Sequence, residues 1–215
     1  MVESRLVIVG AGELGLQLLN LANNSLEKFH IVGFFDDTKD LGDRVSEIPI
    51  IGHLNEIESL YENGFYDKLV IAIGYKNMNL RESLLMRFDK RIPFATLIHK
   101  SCLINSTANI LEGSVLYPGC IIDKNVNIGR NVLLNLGVTV AHDTSIGDNS
   151  FVAPRVAVSG FVKIGKNCFI GTNATIIDNI IIGDNVQIGA GSVLIKTIGN
   201  GLRVFGNPAK ERKYD

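Results

Sequence analysis

The sequence predicts an α/β domain with a parallel sheet followed by a left-handed parallel β-helix, and three observations predict it. An aliphatic residue recurs at every sixth position from Ile98 through Leu194, with no polar member in the series. The position two residues upstream of each is small or β-branched, and the position before that is mostly Gly, Asn or Asp. Residues 1–97 lack this period and alternate short apolar runs with helical stretches, which implies a parallel sheet with crossover helices. The expected domains are a half-Rossmann-like module over 1–97, hexapeptide repeats over 98–196 and a C-terminal cap over 197–215.

In the first part, RLVIV at 5–9 reads as a buried parallel strand. GAGELG at 10–15 follows, and Leu16, Leu18, Leu19 and Ala22 lie on a helix. HIVGFF at 30–35 is a second strand, ending on Asp36 and Asp37. A polar loop leads to a strand over 48–51 and a helix over about 54–63. KLVIAI at 68–73 is another buried strand and ends at Gly74; a helix over about 78–89 and a strand over 94–98 complete the module.

A helix repeats every 3.6 residues and a strand every 2, so neither explains a strict six. A hexapeptide β-helix does: each hexad is one short strand and one turn, and three hexads close a triangular coil of 18 residues. The aliphatic series points inward and stacks coil on coil. Turn formers at Gly113, Gly119, Asn125, Asn131, Gly137, Asp143, Asn149, Asn167, Asn173, Asn179, Asn185 and Gly191 tolerate the positive φ that a corner needs. Cys102, Cys120 and Cys168 fall in the inward small-residue series. They read as buried small hydrophobes in a reducing compartment, without the electropositive setting of a catalytic thiol.

The chain has 215 residues, is 46% hydrophobic and carries a formal net charge of −1, enough for a sizeable core and unsuited to nucleic acid or a polybasic membrane contact. No apolar run approaches the roughly 18 residues of a membrane span, and residues 1–5 lead straight into a strand rather than a signal peptide. A soluble, cytoplasmic protein is expected. One histidine within the repeats does not make a zinc centre, which needs about three protein ligands, so no metal is expected.

Gly10, Gly12 and Gly15 match G-x-G-x-x-G between a strand and a helix, and Asp36 stands 21 residues past Gly15. Backbone N–H groups at a helix start attract phosphate. The module is smaller than a full dinucleotide domain, so the nucleotide part of a substrate is favoured over NAD or a ligand-free tight turn. Asp36 and Asp37 suit ribose hydroxyls or a base N–H, and Gly74 marks a second strand end where open α/β sheets bind ligands. Asn77 and Arg81 follow it, Arg81 as a phosphate partner or a surface residue.

Stepping by 18 sorts the outward positions of the repeats into vertical rows. One row, Arg130, Asp148, Lys166 and Asp184, is fully charged and faces solvent. A second, Leu136, Pro154, Thr172 and Ala190, has no charge and is expected to be covered. Beside it runs a strip of small residues from Asn135 through Ala153, Gly171 and Gly189, open to a ligand or a second backbone. That corner suits another copy of the chain in a closed cyclic trimer. The third row holds Lys124, His142, Gly160, Asp178 and Lys196. His142 points outward there, which suits a general base, with Asp143 next to it to hold the imidazolium. A backbone N–H near Gly160 suits an oxyanion.

The hexads, the loop over 10–15, Asp36-Asp37, Ala72-Ile-Gly74, Ala141-His-Asp143 and GNPAK at 206–210 together resemble the hexapeptide-repeat sugar acetyltransferases with an N-terminal nucleotide-sugar-binding module. That group includes N-acetyltransferases of nucleotide-linked 4-amino-4,6-dideoxy sugars and sialic acid O-acetyltransferases, and the resemblance covers essentially the whole chain. It implies a homotrimer with acetyl-CoA between adjacent β-helices and a role in bacterial glycan synthesis. It implies His142 as base, Asp143 as its acid and Asn135 as a polar neighbour of the site. Gly160, Thr172, Ala190, Lys196 and Pro208 match the CoA groove, while Gly10, Gly12, Asp36, Asp37 and Gly74 match sugar-nucleotide contacts. Glu13-Leu14 stands where the family commonly has Gly-His, and Phe151 replaces a second family histidine.

The expected activity is direct transfer from acetyl-CoA to the 4-amine of a UDP- or dTDP-linked sugar. O-acetylation on the same scaffold and a non-catalytic nucleotide-sugar-binding trimer are the alternatives.

Overall fold

In the computed structural model, which describes residues 3–212, β1 (Ser4–Val9) runs inside a five-stranded sheet, flanked on both sides by parallel partners. The others are β2 (Phe29–Phe35), β3 (Arg44–Val45), β4 (Ile48–Gly52) and β5 (Lys68–Ile71), in the order β3-β4-β2-β1-β5. Leu6, Val7, Ile8 and Val9 are fully buried, the pattern of a strand covered on both faces. The helices are α1 (Glu13–Asn23), α2 (Ile57–Glu62), preceded by a 3₁₀ turn, and α3 (Met78–Phe88). Leu84, Leu85 and Phe88 of α3 join Val7, Val9 and Leu69 in one core cluster.

Two elements differ from expectation. The strand expected over 94–98 is reduced to Leu97–Ile98, with Phe94 making only an isolated bridge to Leu69. The polar loop before residue 48 contains β3, paired antiparallel with β4. Its two-residue turn is Ser46-Glu47, with φ of 47° and 66°. Such turns normally announce themselves as Asn-Gly or Asp-Gly, and Ser-Glu carries no such signal.

The chain divides after Ile98 into two units. In the second, each two-residue strand pairs in parallel with the strands 18 residues before and after it, as Ile122 does with Ile104 and Val140. The strands fall into three sheets, the faces of a prism. From Leu116 to Leu194 every member of the inward aliphatic series is at most 3% exposed, whereas Ile104 and Ile110 in the first coil are only half-buried. From Ser114 onward the small series is buried too, and its hydroxyls are satisfied: Ser114 donates to the Gly129 carbonyl, Thr144 to that of Ser159 and Ser150 to that of Gly165. All twelve turn formers have positive φ, and so do Arg155 and Phe161 at the same phase.

The last coil is closed by a segment of the tail. Arg203–Phe205 lies parallel to Gln187–Ile188 and antiparallel to Lys210–Glu211. Because the inward ladder carries the stack, truncating one rung removes both transfer energy and close packing. Ile176→Ala, at a position with no exposure, is expected to destabilise by about 2–5 kcal/mol, read as a lowered denaturant midpoint at unchanged slope.

Candidate active site

The first site lies at the C-terminal ends of β1 and β5. From β1 the sheet continues to β2 on one side, while β5 adds on the other. This is the topological switch point, where open α/β sheets hold ligands. A cavity of about 420 Å³ opens there, and it brings together Gly10, Gly12, Asp36, Gly74 and Asn77.

The loop geometry follows from its glycines. Gly10 has φ +107°, and a Cβ there would meet the Ala72 carbonyl oxygen at 2.9 Å. Gly15 packs so closely that a Cβ would sit 2.1 Å from the Gly10 carbonyl oxygen. Gly12 caps α1 without a side-chain hydrogen bond, and a Cβ there would meet nothing within 4 Å. The helix start therefore presents bare N–H groups to open space, the arrangement that receives a phosphate.

The acids do more structural work than the sequence suggested. One Asp36 oxygen accepts from the Ala11 N–H at 2.7 Å, and the other accepts from the N–H and hydroxyl of Thr38. Partial burial raises the Asp36 pKa, but these hydrogen bonds outweigh it and hold the carboxyl below the usual carboxylate range. Asp37 accepts from the Leu54 N–H at 2.8 Å and is not among the cavity's lining residues.

Arg81 is neither a cavity-lining phosphate partner nor a surface residue. It is 1% exposed, burial pushes its pKa down to about 10, and Nη1 donates to the Ile73 carbonyl. It braces the floor from beneath. Tyr75 and Lys76 line the cavity and were missed; their signal was their place just past a buried strand end, beside Gly74.

The second site is on the prism. His142 Nδ1 lies 3.0 Å from Asp143 Oδ2, and the Asn125 side-chain amide donates to Asp143 Oδ1 at 2.9 Å. Asp143 sits at φ +58°, which turns its carboxylate back onto the neighbouring ring. The Asn125 hydrogen bond first, and that with His142 second, keep the Asp143 carboxyl below its ordinary range. The result is a chain of amide, carboxylate and imidazole in which Nε2 is the nitrogen left to take a proton. The two side chains are about one-third exposed, within reach of a ligand. Asn125 was read only as a turn former; its 18-residue spacing from Asp143 was the overlooked signal.

Asn135, Thr172 and Ala190 do not join His142. They occupy the neighbouring corner of the prism, across the face built from Thr139–Val140 and the strands stacked on it. Thr172 and Ala190 are exposed, and Asn135 Oδ1 accepts from the Leu136 N–H at 2.7 Å. Gly160 lies on the His142 corner under the ring, whereas Lys196 and Pro208 are exposed towards the end of the stack. The intervening face carries a groove of about 500 Å³ whose edge includes Leu103 and Ile121, exposed by 66% and 46%.

Burial pushes the Cys168 thiol up to about 11, and the hydrogen bond that the Cys120 thiol gives to Cys102, with burial, raises that of Cys120. Cys102, in the first coil, is half-buried rather than inward and covered. Among the described residues no group of three His, Cys, Asp or Glu forms a metal site, and no helix is long and apolar enough to cross a membrane.

Comparison with known proteins agrees with both halves. The PglD N-terminal domain family matches residues 5–88, and the bacterial transferase hexapeptide family matches residues 161–196. A redox-sensing transcriptional repressor Rex from Thermosipho africanus is 28% identical over 68 residues, 31% of this chain, which spans about a third of that repressor's length (32%).

Three solved structures match along nearly the whole chain. Perosamine N-acetyltransferase from Caulobacter crescentus, a histidine-to-asparagine variant in complex with CoA and GDP-perosamine, is 25% identical over 99% of both chains with a TM-score of 0.89. The acetyltransferase domain of PglB from Neisseria gonorrhoeae is 28% identical over 98% of this chain and all of that one, with a TM-score of 0.86. WeeI from Acinetobacter baumannii is 27% identical over 96% and 99%, with a TM-score of 0.81. A PglD-type N-terminal module and a hexapeptide prism, joined in this order, make the chain similar over nearly its whole length to these solved acetyltransferases.

Proposed function

We propose that the protein transfers the acetyl group of acetyl-CoA to the 4-amine of a nucleotide-linked 4-amino-4,6-dideoxy sugar, with His142 as general base. The observation that carries this is the chain of Asn125, Asp143 and His142 on an exposed corner of the prism. The amine nitrogen attacks the thioester carbonyl while Nε2 takes its proton, and Asp143 stabilises the imidazolium. The tetrahedral oxyanion draws on a backbone N–H. That of Phe161 is already given to the His142 carbonyl, so Gly160 is the candidate. Collapse breaks the C–S bond, and the CoA thiolate recovers the proton from Nε2. The two thiols with raised pKa do not favour an acyl-enzyme.

The cavity at Gly10, Gly12 and Gly74 takes the nucleotide diphosphate, with UDP or dTDP proposed as carrier. CoA takes the uncharged corner at Thr172 and Ala190. That corner and His142 lie at different edges of one prism, so a site using both needs a second copy, and a cyclic trimer supplies it. Exposed Leu103 and Ile121 on the face between them support that assembly. A cytoplasmic site of action belongs to the same reading.

The test is mass-spectrometric acetylation of UDP-, dTDP- and GDP-linked 4-amino sugars beside hydroxyl acceptors, with acetyl-CoA. A mass gain of one acetyl group on an amino sugar is expected, with none on matched hydroxyl sugars. Acetylation confined to hydroxyl acceptors would assign O-transfer instead, and no acetylation of any acceptor would sink the enzymatic reading. GDP as the preferred carrier would correct the nucleotide alone.

A further inference from the structure

The corner position with positive φ holds Gly, Asn or Asp in twelve hexads, and two hexads break the rule with Arg155 and Phe161. A bulky side chain in the left-handed region is a steric outlier. It persists only where its surroundings hold it, most often at functional sites. Burial does not hold Phe161, which is 53% exposed.

Its N–H donates to the His142 carbonyl at 3.1 Å, the same bond that corners such as Asn149 and Asn167 make to the coil before them, so what is particular to Phe161 is where its ring lies. The two rings meet edge to face, with centroids 5.1 Å apart and planes at 86°. Gly160, just before it, forms the other wall: a Cβ there would lie 2.8 Å from Cε1 and 3.0 Å from Nε2 of the imidazole. Asp143 fixes only one end of the ring, at Nδ1, and a single hydrogen bond leaves the ring plane free to turn.

We propose that Phe161 is a positioning residue for His142, its ring setting the imidazole plane against Gly160 so that Nε2 meets the acceptor. The inference rests on His142 as the base. An edge-to-face contact of this kind corresponds to roughly a three- to tenfold preference for the productive orientation, which is the size of the effect to look for.

Phe161→Asn installs the residue the turn prefers, so a fall in rate accompanied by loss of fold is not the expected outcome. The thermal midpoint should equal or exceed that of the wild type and KM for acetyl-CoA should not change, while kcat falls about three- to tenfold. Phe161→Tyr keeps the ring and should keep kcat. In a His142→Ala background, Phe161→Asn should have no further effect. The His142 ring-proton NMR signals should also move in Phe161→Asn, as the aromatic ring current is lost.

Wild-type kcat in Phe161→Asn beside a crippled His142→Ala overturns the positioning role and leaves the base in place. Unmoved His142 signals overturn it whatever the rate does. A fully active His142→Ala removes the base reading, and this inference with it.

Discussion

His142→Ala is expected to lower acetyl transfer by about 10²–10⁴, the usual contribution of a positioned general base, while CoA still binds. The fold should tolerate the change: the side chain is 39% exposed and lies on an outward corner, where substitutions shift stability by no more than about 0.5 kcal/mol. Saturating both substrates separates the two roles, because loss of kcat at unchanged KM marks a group acting in the transition state rather than in binding. Asn125 and His142 hold the Asp143 carboxyl below its usual range, which keeps a carboxylate beside the ring. A His142→Ala enzyme within twofold of the wild type would remove imidazole from the mechanism.

The prism was legible because its sequence rule is redundant. An inward rung such as Ile170, its small neighbour Cys168 and its corner Asn167 each state the same register, and all three take the expected positions. The outward phase of His142 followed from that register alone. Pairings across coils were harder to see, since residues 18 apart meet only once the coil closes; Asn125 therefore went unread as the partner of Asp143. The β3 hairpin went unread for a different reason, a turn without Gly or Asn.

In the N-terminal module the motif residues stand where the sequence put them, while Arg81 was misread. A sequence shows that Asp36 follows a strand end, not that its two oxygens are already holding Ala11 and Thr38. Nor does it show that Arg81, on a helix of mixed polarity, turns inward to the Ile73 carbonyl. Side-chain direction on a short helix is decided by packing, which spacing alone does not reveal.

Two glycines of one loop should separate fold from ligand. Gly15→Ala drives a Cβ to 2.1 Å from the Gly10 carbonyl oxygen, so loop and helix must part. The expected cost is about 1–3 kcal/mol or more of stability, and substrate affinity falls with it because the loop has moved. Gly12→Ala is the opposite case. Its φ of −83° suits any residue and no atom lies within 4 Å of the new methyl group, so the fold loses no more than about 1 kcal/mol at the cap. In a dinucleotide-type loop this second glycine is the one that lets the pyrophosphate approach the backbone. A methyl group there occupies the ligand's space, and binding of the nucleotide sugar should weaken by about tenfold or more, roughly 1.4 kcal/mol. Calorimetric titration of both variants beside their denaturation midpoints distinguishes the cases. If Gly12→Ala binds the nucleotide sugar as the wild type does, the diphosphate does not sit on the α1 N-terminus, and the empty space above Gly12 belongs to solvent.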